Sequence, residues 1–196
     1  PDISDYFDIS DGLTQMTIAV NFFGFCLSSV VYGPLSDSYG RRNVMLIGNA
    51  IMLIGAIFCV VADSIESLLI ARFIQGFGAS TSAVVVFAMI ADVYETEKAA
   101  KLIGVMNSLI TVFMSIAPIA GGFINNLVGF RGNYFVIALV SLISWVMLYF
   151  QLPETKKEKK PLEIRTIAKN FYILATDKRF LYASLTPSLT YSGYMS

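Results

Sequence analysis

The chain has 196 residues and no net formal charge, and it is 56% hydrophobic and only 14% charged. That much apolar surface exceeds what one water-soluble core of this size can hide, so lipid must cover the remainder, and a neutral chain offers no global field to draw nucleic acid. Histidine is absent, which removes the commonest metal ligand and acid–base catalyst, and Cys26 and Cys59 both fall inside apolar stretches, against a disulfide framework or a metal cluster.

The opening stretch from Pro1 to Asp11 is acidic, without the basic flank or cleavage pattern of a signal peptide. Crossing about 30 Å of hydrocarbon takes roughly 20 helical residues. Five charge-free runs meet that length: Gly12 to Ser36, Asn43 to Ala62, Phe73 to Ala91 (its helix expected to start nearer Ser67), Leu102 to Phe130 and Gly132 to Leu152. Lipid tolerates no unpaired backbone polar groups, and none of these runs alternates with the two-residue period of a barrel strand. All five are therefore expected to be α-helices.

Lysine and arginine set the orientation, because they accumulate in cytoplasmic loops. Arg41 and Arg42 follow the first run, Lys98 and Lys101 the third, and eight further cations the fifth, so twelve of the fourteen basic residues fall on one side. Loops 37–42, 93–101 and 153–179 are thus expected in the cytoplasm and Pro1 outside. A chain that starts outside and next crosses inward is expected to lack a helix before Pro1. Arg131 is the single loop cation of the outer side, and Arg72 is left inside a span.

Three parts follow: spans over 1–152, a cytoplasmic segment over 153–179 that starts as a lysine-rich linker, and the start of a further span over 180–196. Within the second, Ile164, Ile167, Phe171 and Leu174 share one helical face. That pattern fits an amphipathic helix on the inner membrane surface and equally one packed on the protein's own cytoplasmic face.

The loop Gly33-Pro34-Leu35-Ser36-Asp37-Ser38-Tyr39-Gly40-Arg41-Arg42 suits a gate. Gly33 permits close helix contact, Gly40 permits a tight turn, and Asp37 can pair with Arg41 or Arg42 at the membrane edge; alternatively the arginines are only topogenic. The third run carries Arg72-Phe73-Ile74-Gln75-Gly76-Phe77-Gly78-Ala79. Burying a cation costs about 2.5 to 3.5 kcal/mol on insertion scales, so Arg72 either serves a function or snorkels to water. Gln75 and Gly76 share its face, and Gly76, Ala79 and Ala83 offer a small-residue strip for helix packing. In the fourth run, Ser115-Ile116-Ala117-Pro118-Ile119-Ala120-Gly121-Gly122 combines a helix-bending proline with paired glycines.

The first of these stretches resembles the signature of the major facilitator superfamily, with Ser38 standing where the family usually has a basic residue. The Arg72 stretch is similar to the family's second motif, and Pro118, Gly121 and Gly122 to its antiporter signature, with Ala117 and Phe113 replacing glycines. That variant, with Tyr32-Gly33-Pro34-Leu35-Ser36-Asp37, Leu152-Pro153-Glu154-Thr155 and Asp177-Lys178-Arg179-Phe180, resembles the drug:proton antiporters of the bicyclomycin and chloramphenicol resistance (Bcr/CflA) type.

The resemblance implies an all-α membrane protein: the major facilitator six-helix bundle lacking its first helix, plus the cytoplasmic linker and the start of the seventh helix. It implies alternating access around a midplane cavity, a charge relay in which Asp92 joins Asp37, Arg41 and Arg42, and a proton-coupling role for Arg72, Gln75 and Gly76. Asp92 read without it is a solvated helix-end carboxylate, and Pro118 a kink without a coupling role. Polar or aromatic residues inside the spans, Asn21, Phe25, Asn107 and Thr111, are candidates to line the cavity or to pack between helices. No acidic residue lies centrally in the five spans to carry the proton.

The function implied is export of small amphipathic compounds in exchange for protons across a bacterial inner membrane, by a protein monomeric when complete. No cofactor is expected beyond the proton gradient. A metabolite or sugar facilitator, or a non-transporting receptor or scaffold, are the alternatives. No nucleophile with a histidine partner or metal set is present to support an enzyme.

Overall fold

A computed structural model describes residues 2–156 together with 173, 176, 177, 181 and 182. The chain divides into two units, residues 1–160 and 161–196. The face formed by Ile164, Ile167, Phe171 and Leu174 lies outside the described residues, as do Phe180 and residues 183–196. In the second unit the amides of Asp177 and Leu181 donate to the carbonyls of Ile173 and Asp177, a helical pattern.

The first unit is helical: α1 (Asp2–Phe7), α2 (Asp11–Tyr39), α3 (Arg41–Val61), α4 (Ile65–Val93), α5 (Thr96–Val128) and α6 (Phe130–Gln151). The last five are long and apolar enough to cross a membrane. Even the shortest, α3 with 21 residues, reaches about 31 Å at 1.5 Å per residue, the thickness of a bilayer's hydrocarbon core. Each helix satisfies its own backbone, and the outward side chains are large and greasy: Phe22 is 62% exposed, Ile119 76% and Phe150 78%. A lipid solvent accounts for that pattern, which water would penalise. The chain is a multi-pass membrane protein.

All five spanning helices start before their charge-free runs, and α2 and α4 also end after theirs, because these ends carry the charged residues that such runs exclude. Between α2 and α3 the link is Gly40 alone, at φ 99°, a conformation that side-chain-bearing residues rarely adopt. Ser64 and Ser67 form a reciprocal capping box that starts α4. Gly129, at φ 75°, breaks α5 from α6 two residues before Arg131. The sequence reading carried the fourth run through Phe130; the left-handed glycine ends the helix sooner, and Phe130 opens α6 instead.

At the centre stands α4, packed on α2 and α3, with α6 against α3. The approach is close enough that a Cβ on Gly24 would meet the Phe73 carbonyl, and one on Gly78 the backbone of Met52. Here the strip expected on α4 is corrected. Gly76 and Ser80 face α2, while Gly78 and Thr81 face α3; Ala79 is half-buried and Ala83 exposed. One helix lodged between two neighbours needs small residues on two faces, and a single stripe would serve only one.

Buried hydroxyls join the helices as well. Ser28 and Ser80 lie 2.6 Å apart, both fully buried, and the Trp145 indole donates to the Leu46 carbonyl at 3.0 Å, tying α6 to α3. Two apolar clusters lie at opposite ends. One gathers Cys59, Ala62, Leu68, Ala71, Phe130 and Tyr134; the other gathers Tyr32, Val44, Met45 and Val85, with Leu148 and Leu152 against it. At the first end Arg131 donates to the Ala62 carbonyl at 2.8 Å, to Asp63 at 3.0 Å and to the Tyr6 hydroxyl at 3.0 Å. This cation, expected as a loop charge, therefore joins α6 to α1 and to the α3–α4 turn.

Candidate functional site

At the other end, the one-residue Gly40 turn places Asp37 at the end of α2 and Arg41 at the start of α3, four residues apart. Arg41 is 5% exposed, and its guanidinium is divided among three partners. Its Nη2 meets Asp37 at 2.7 Å, Nε donates to Asp92 of α4 at 2.8 Å, and Nη1 donates to the fully buried Ser36 hydroxyl. A planar fork of fixed donors suits this three-way arrangement, where a lysine ammonium would be a point charge.

The rest of the cluster comes from the segment that follows α6. Glu154 accepts the Arg41 backbone N–H at 2.9 Å. Lys156 reaches Asp37 at 3.0 Å and Asp92 at 3.9 Å. Arg42 points elsewhere: it donates to the Tyr149 carbonyl at 2.8 Å and lies over that residue's ring. Of the gate residues named from the sequence, the structure thus brings Asp37, Arg41 and Asp92 together, with Gly40 as the hinge. Gly33 is spaced loosely, its nearest neighbour being Val84 at 4.0 Å from where a Cβ would sit.

A second polar cluster lies partly buried within the bundle. Arg72 Nη1 donates to Gln75 Oε1 at 2.6 Å and Nε to the Thr17 carbonyl at 3.3 Å, and the guanidinium lies 5.7 Å from the Tyr134 ring centre. Asn21 donates to the Arg72 carbonyl at 2.8 Å, and Gly76 lies against the Asn21 carbonyl. The Cys59 thiol completes the set at 3.9 Å from Gln75 Oε1. Among the described residues no carboxylate lies within ion-pair distance of Arg72. Its charge rests on carbonyls and an aromatic face. A cavity of about 340 Å³ opens beside it, bordered by Thr14, Asn125, Asn133 and Tyr134.

The remaining candidates are scattered. Asn21 bonds between helices, and Phe25 is half-buried. Asn107 and Thr111 lie on the exposed side of α5, the Thr111 hydroxyl donating to the Asn107 carbonyl of its own helix. None of these four borders the cavity beside Arg72. Pro118 lies inside α5, whose motif is open: a Cβ on Gly122 would meet nothing within 4 Å, and one on Gly121 only Asn133 at 3.8 Å.

Sequence reasoning did not single out Ser36, Lys156, Thr17 or Tyr134, and it noted Glu154 only as part of an exit sequence. Ser36 stands inside the quoted gate loop and Glu154 in the exit sequence, and nothing local marks Lys156, Thr17 or Tyr134.

Comparison with known proteins agrees with this architecture. The chain is 30% identical to a bicyclomycin resistance protein homolog of Haemophilus influenzae, over 98% of this chain and 49% of that protein. It is 27% identical to the multidrug resistance protein MdtM of Escherichia coli K12, over 97% of this chain and 47% of that protein. The chain therefore spans about half the length of these curated relatives. The crystal structure of the human organic anion transporter MFSD10 (TETRAN) shares the fold, with a TM-score of 0.65 at 20% identity, over 78% of this chain and 36% of that one. The Major Facilitator Superfamily model matches residues 1–196, and with its five membrane-length helices the chain belongs to that superfamily.

Proposed function

We propose that this chain is part of a secondary active transporter of the drug:proton antiporter type, exporting small amphipathic compounds across a bacterial inner membrane by alternating access. The Arg41 end faces the cytosol. The observation that carries this reading is the Arg41 guanidinium set between Asp37 and Asp92, so that one side chain holds the ends of α2, α3 and α4 together. Such a contact suits a gate, because it is strong in one packing of the helix ends and lost in another.

Magnitudes support coupling to protons. A charge-assisted hydrogen bond contributes about 1.5 to 3 kcal/mol net, and one proton crossing 100 mV releases about 2.3 kcal/mol. One proton per cycle is thus enough to bias the gate. Arg72, held inside the bundle by Gln75 and the Thr17 carbonyl, raises the cost of any further positive charge nearby and would favour an anionic partner, the role expected of a proton-coupling cation. The names of the relatives favour drug-like cargo over sugars.

The test uses the complete protein in proteoliposomes loaded with a lipophilic cationic dye such as ethidium. Dye efflux should accelerate when the outside is made more acidic than the lumen, and protons should enter the lumen in exchange. Flux indifferent to the gradient would favour a facilitator, and dye binding without flux a receptor.

A further inference from the structure

The residues after α6 resemble a solvated linker in sequence, yet Leu152 to Lys156 lies folded onto the charge cluster. Leu152 packs with the Tyr32, Val44, Met45 and Val85 cluster. The Lys156 side chain is 17% exposed, although lysine on a linker is ordinarily solvated. Glu154 Oε1 accepts both the Arg41 backbone N–H, at 2.9 Å, and the Lys156 backbone N–H, at 3.0 Å. One carboxylate oxygen therefore ties the start of α3 to the strap and fixes where Lys156 emerges.

From there Lys156 Nζ reaches Asp37 at 3.0 Å and Asp92 at 3.9 Å, the same two carboxylates that flank Arg41. Without it, Arg41 alone would face two carboxylates at the cluster's centre. The neighbouring position on α2 is Ser38, which carries no charge. The second cation comes from the strap.

We propose that Lys156 is a positioning residue of the Arg41 gate, neutralising the second carboxylate, and that Glu154 is the pin that holds it there. The proposal rests on the gate reading above. Displacing the strap withdraws the Lys156 ammonium from Asp37 and Asp92 together with the Glu154 carboxylate from the Arg41 amide, so that Arg41 alone faces both aspartates; closure weakens, and movement of the segment after α6 is coupled to opening of this end.

Ser36 supplies the reporter, because it is fully buried under Arg41. In the complete protein carrying Ser36→Cys, purified into lipid nanodiscs that leave both faces reachable, a membrane-impermeant maleimide reads how often the cluster opens. Labelling should be equally slow with Lys156 and Lys156→Arg, about threefold faster with Lys156→Gln, as expected for a partly exposed ion pair, and faster still with Lys156→Glu. Glu154→Gln, which keeps an acceptor, should label more slowly than Glu154→Ala. Rates that are equal across the Lys156 variants, or that do not follow charge, would overturn the proposal. The labelling series needs no substrate, so a failure of proton-linked flux would count against the export reading while this order still decides the role of Lys156.

Discussion

Arg41 and Asp92 lie 51 residues apart in sequence and 2.8 Å apart in space, joined through Nε while the two terminal nitrogens of the same guanidinium serve Ser36 and Asp37. Three directions are occupied at once, which makes the geometry, and not only the charge, the working feature. Arg41→Lys should therefore cut transport about tenfold, the value of one lost charge-assisted hydrogen bond, whereas Arg42→Lys should cost less than about threefold, since Arg42 bonds one exposed carbonyl and lies over the ring of that same residue, Tyr149, outside the cluster. Initial flux rates in vesicles, normalised to protein content, compare them; equal losses would refute the distinction.

Glycines on α4 can be ranked against glycines on α5. A Cβ on Gly78 would run into the backbone of Met52 and the carbonyl of Gly48, neither of which can yield as a flexible side chain would. Gly78→Ala should lower stability by about 1 to 3 kcal/mol through overpacking. Gly104, with nothing within 4 Å, should accept alanine with a gain of up to about 1 kcal/mol from helix propensity. Thermal midpoints in detergent check both signs.

The Ser28 and Ser80 hydroxyls form one interhelical hydrogen bond inside a fully buried contact. Either serine replaced by alanine should cost about 0.6 to 2 kcal/mol. The double variant should cost clearly less than the sum, since both partners of one bond are then gone. Additive losses in unfolding measurements would show that the pair does not act as a unit.

Tyr134 offers Arg72 a ring face as well as apolar packing. Tyr134→Phe should leave stability nearly unchanged, and Tyr134→Leu should lower it by about 0.5 to 2 kcal/mol for the lost cation–π contact, read from thermal midpoints. Equal midpoints for the two variants would remove the ring from the account of how Arg72 is held.

The five spans were legible because charge is costly in lipid, and their interruptions mark loops. The same search missed the last turn of α2 with Asp37 and the first of α3 with Arg41, since helices continue into the interface where charge is tolerated. Which arginine would meet Asp37 was not legible: Arg41 and Arg42 are adjacent in sequence, and only the helical turn after Gly40 separates them. Glu154 and Lys156 were hidden for a different reason. Their sequence is polar and proline-bounded like any linker, and their role comes from a fold-back that brings them to residues more than 60 positions away. Asn21 resembles a cavity residue in sequence and in space binds the Arg72 carbonyl, because a buried amide takes the nearest backbone acceptor.

If the Arg41 cluster is a cytosolic gate, it opens during transport. That opening is tested most directly by the reactivity of a cysteine at Ser36 in inside-out membrane vesicles carrying the complete protein. Labelling of Ser36→Cys by an impermeant maleimide should be slow at rest, faster when substrate is added, and absent from the outer face of intact cells. A rate that ignores substrate, or labelling only from the outer face, would contradict a cytosolic gate.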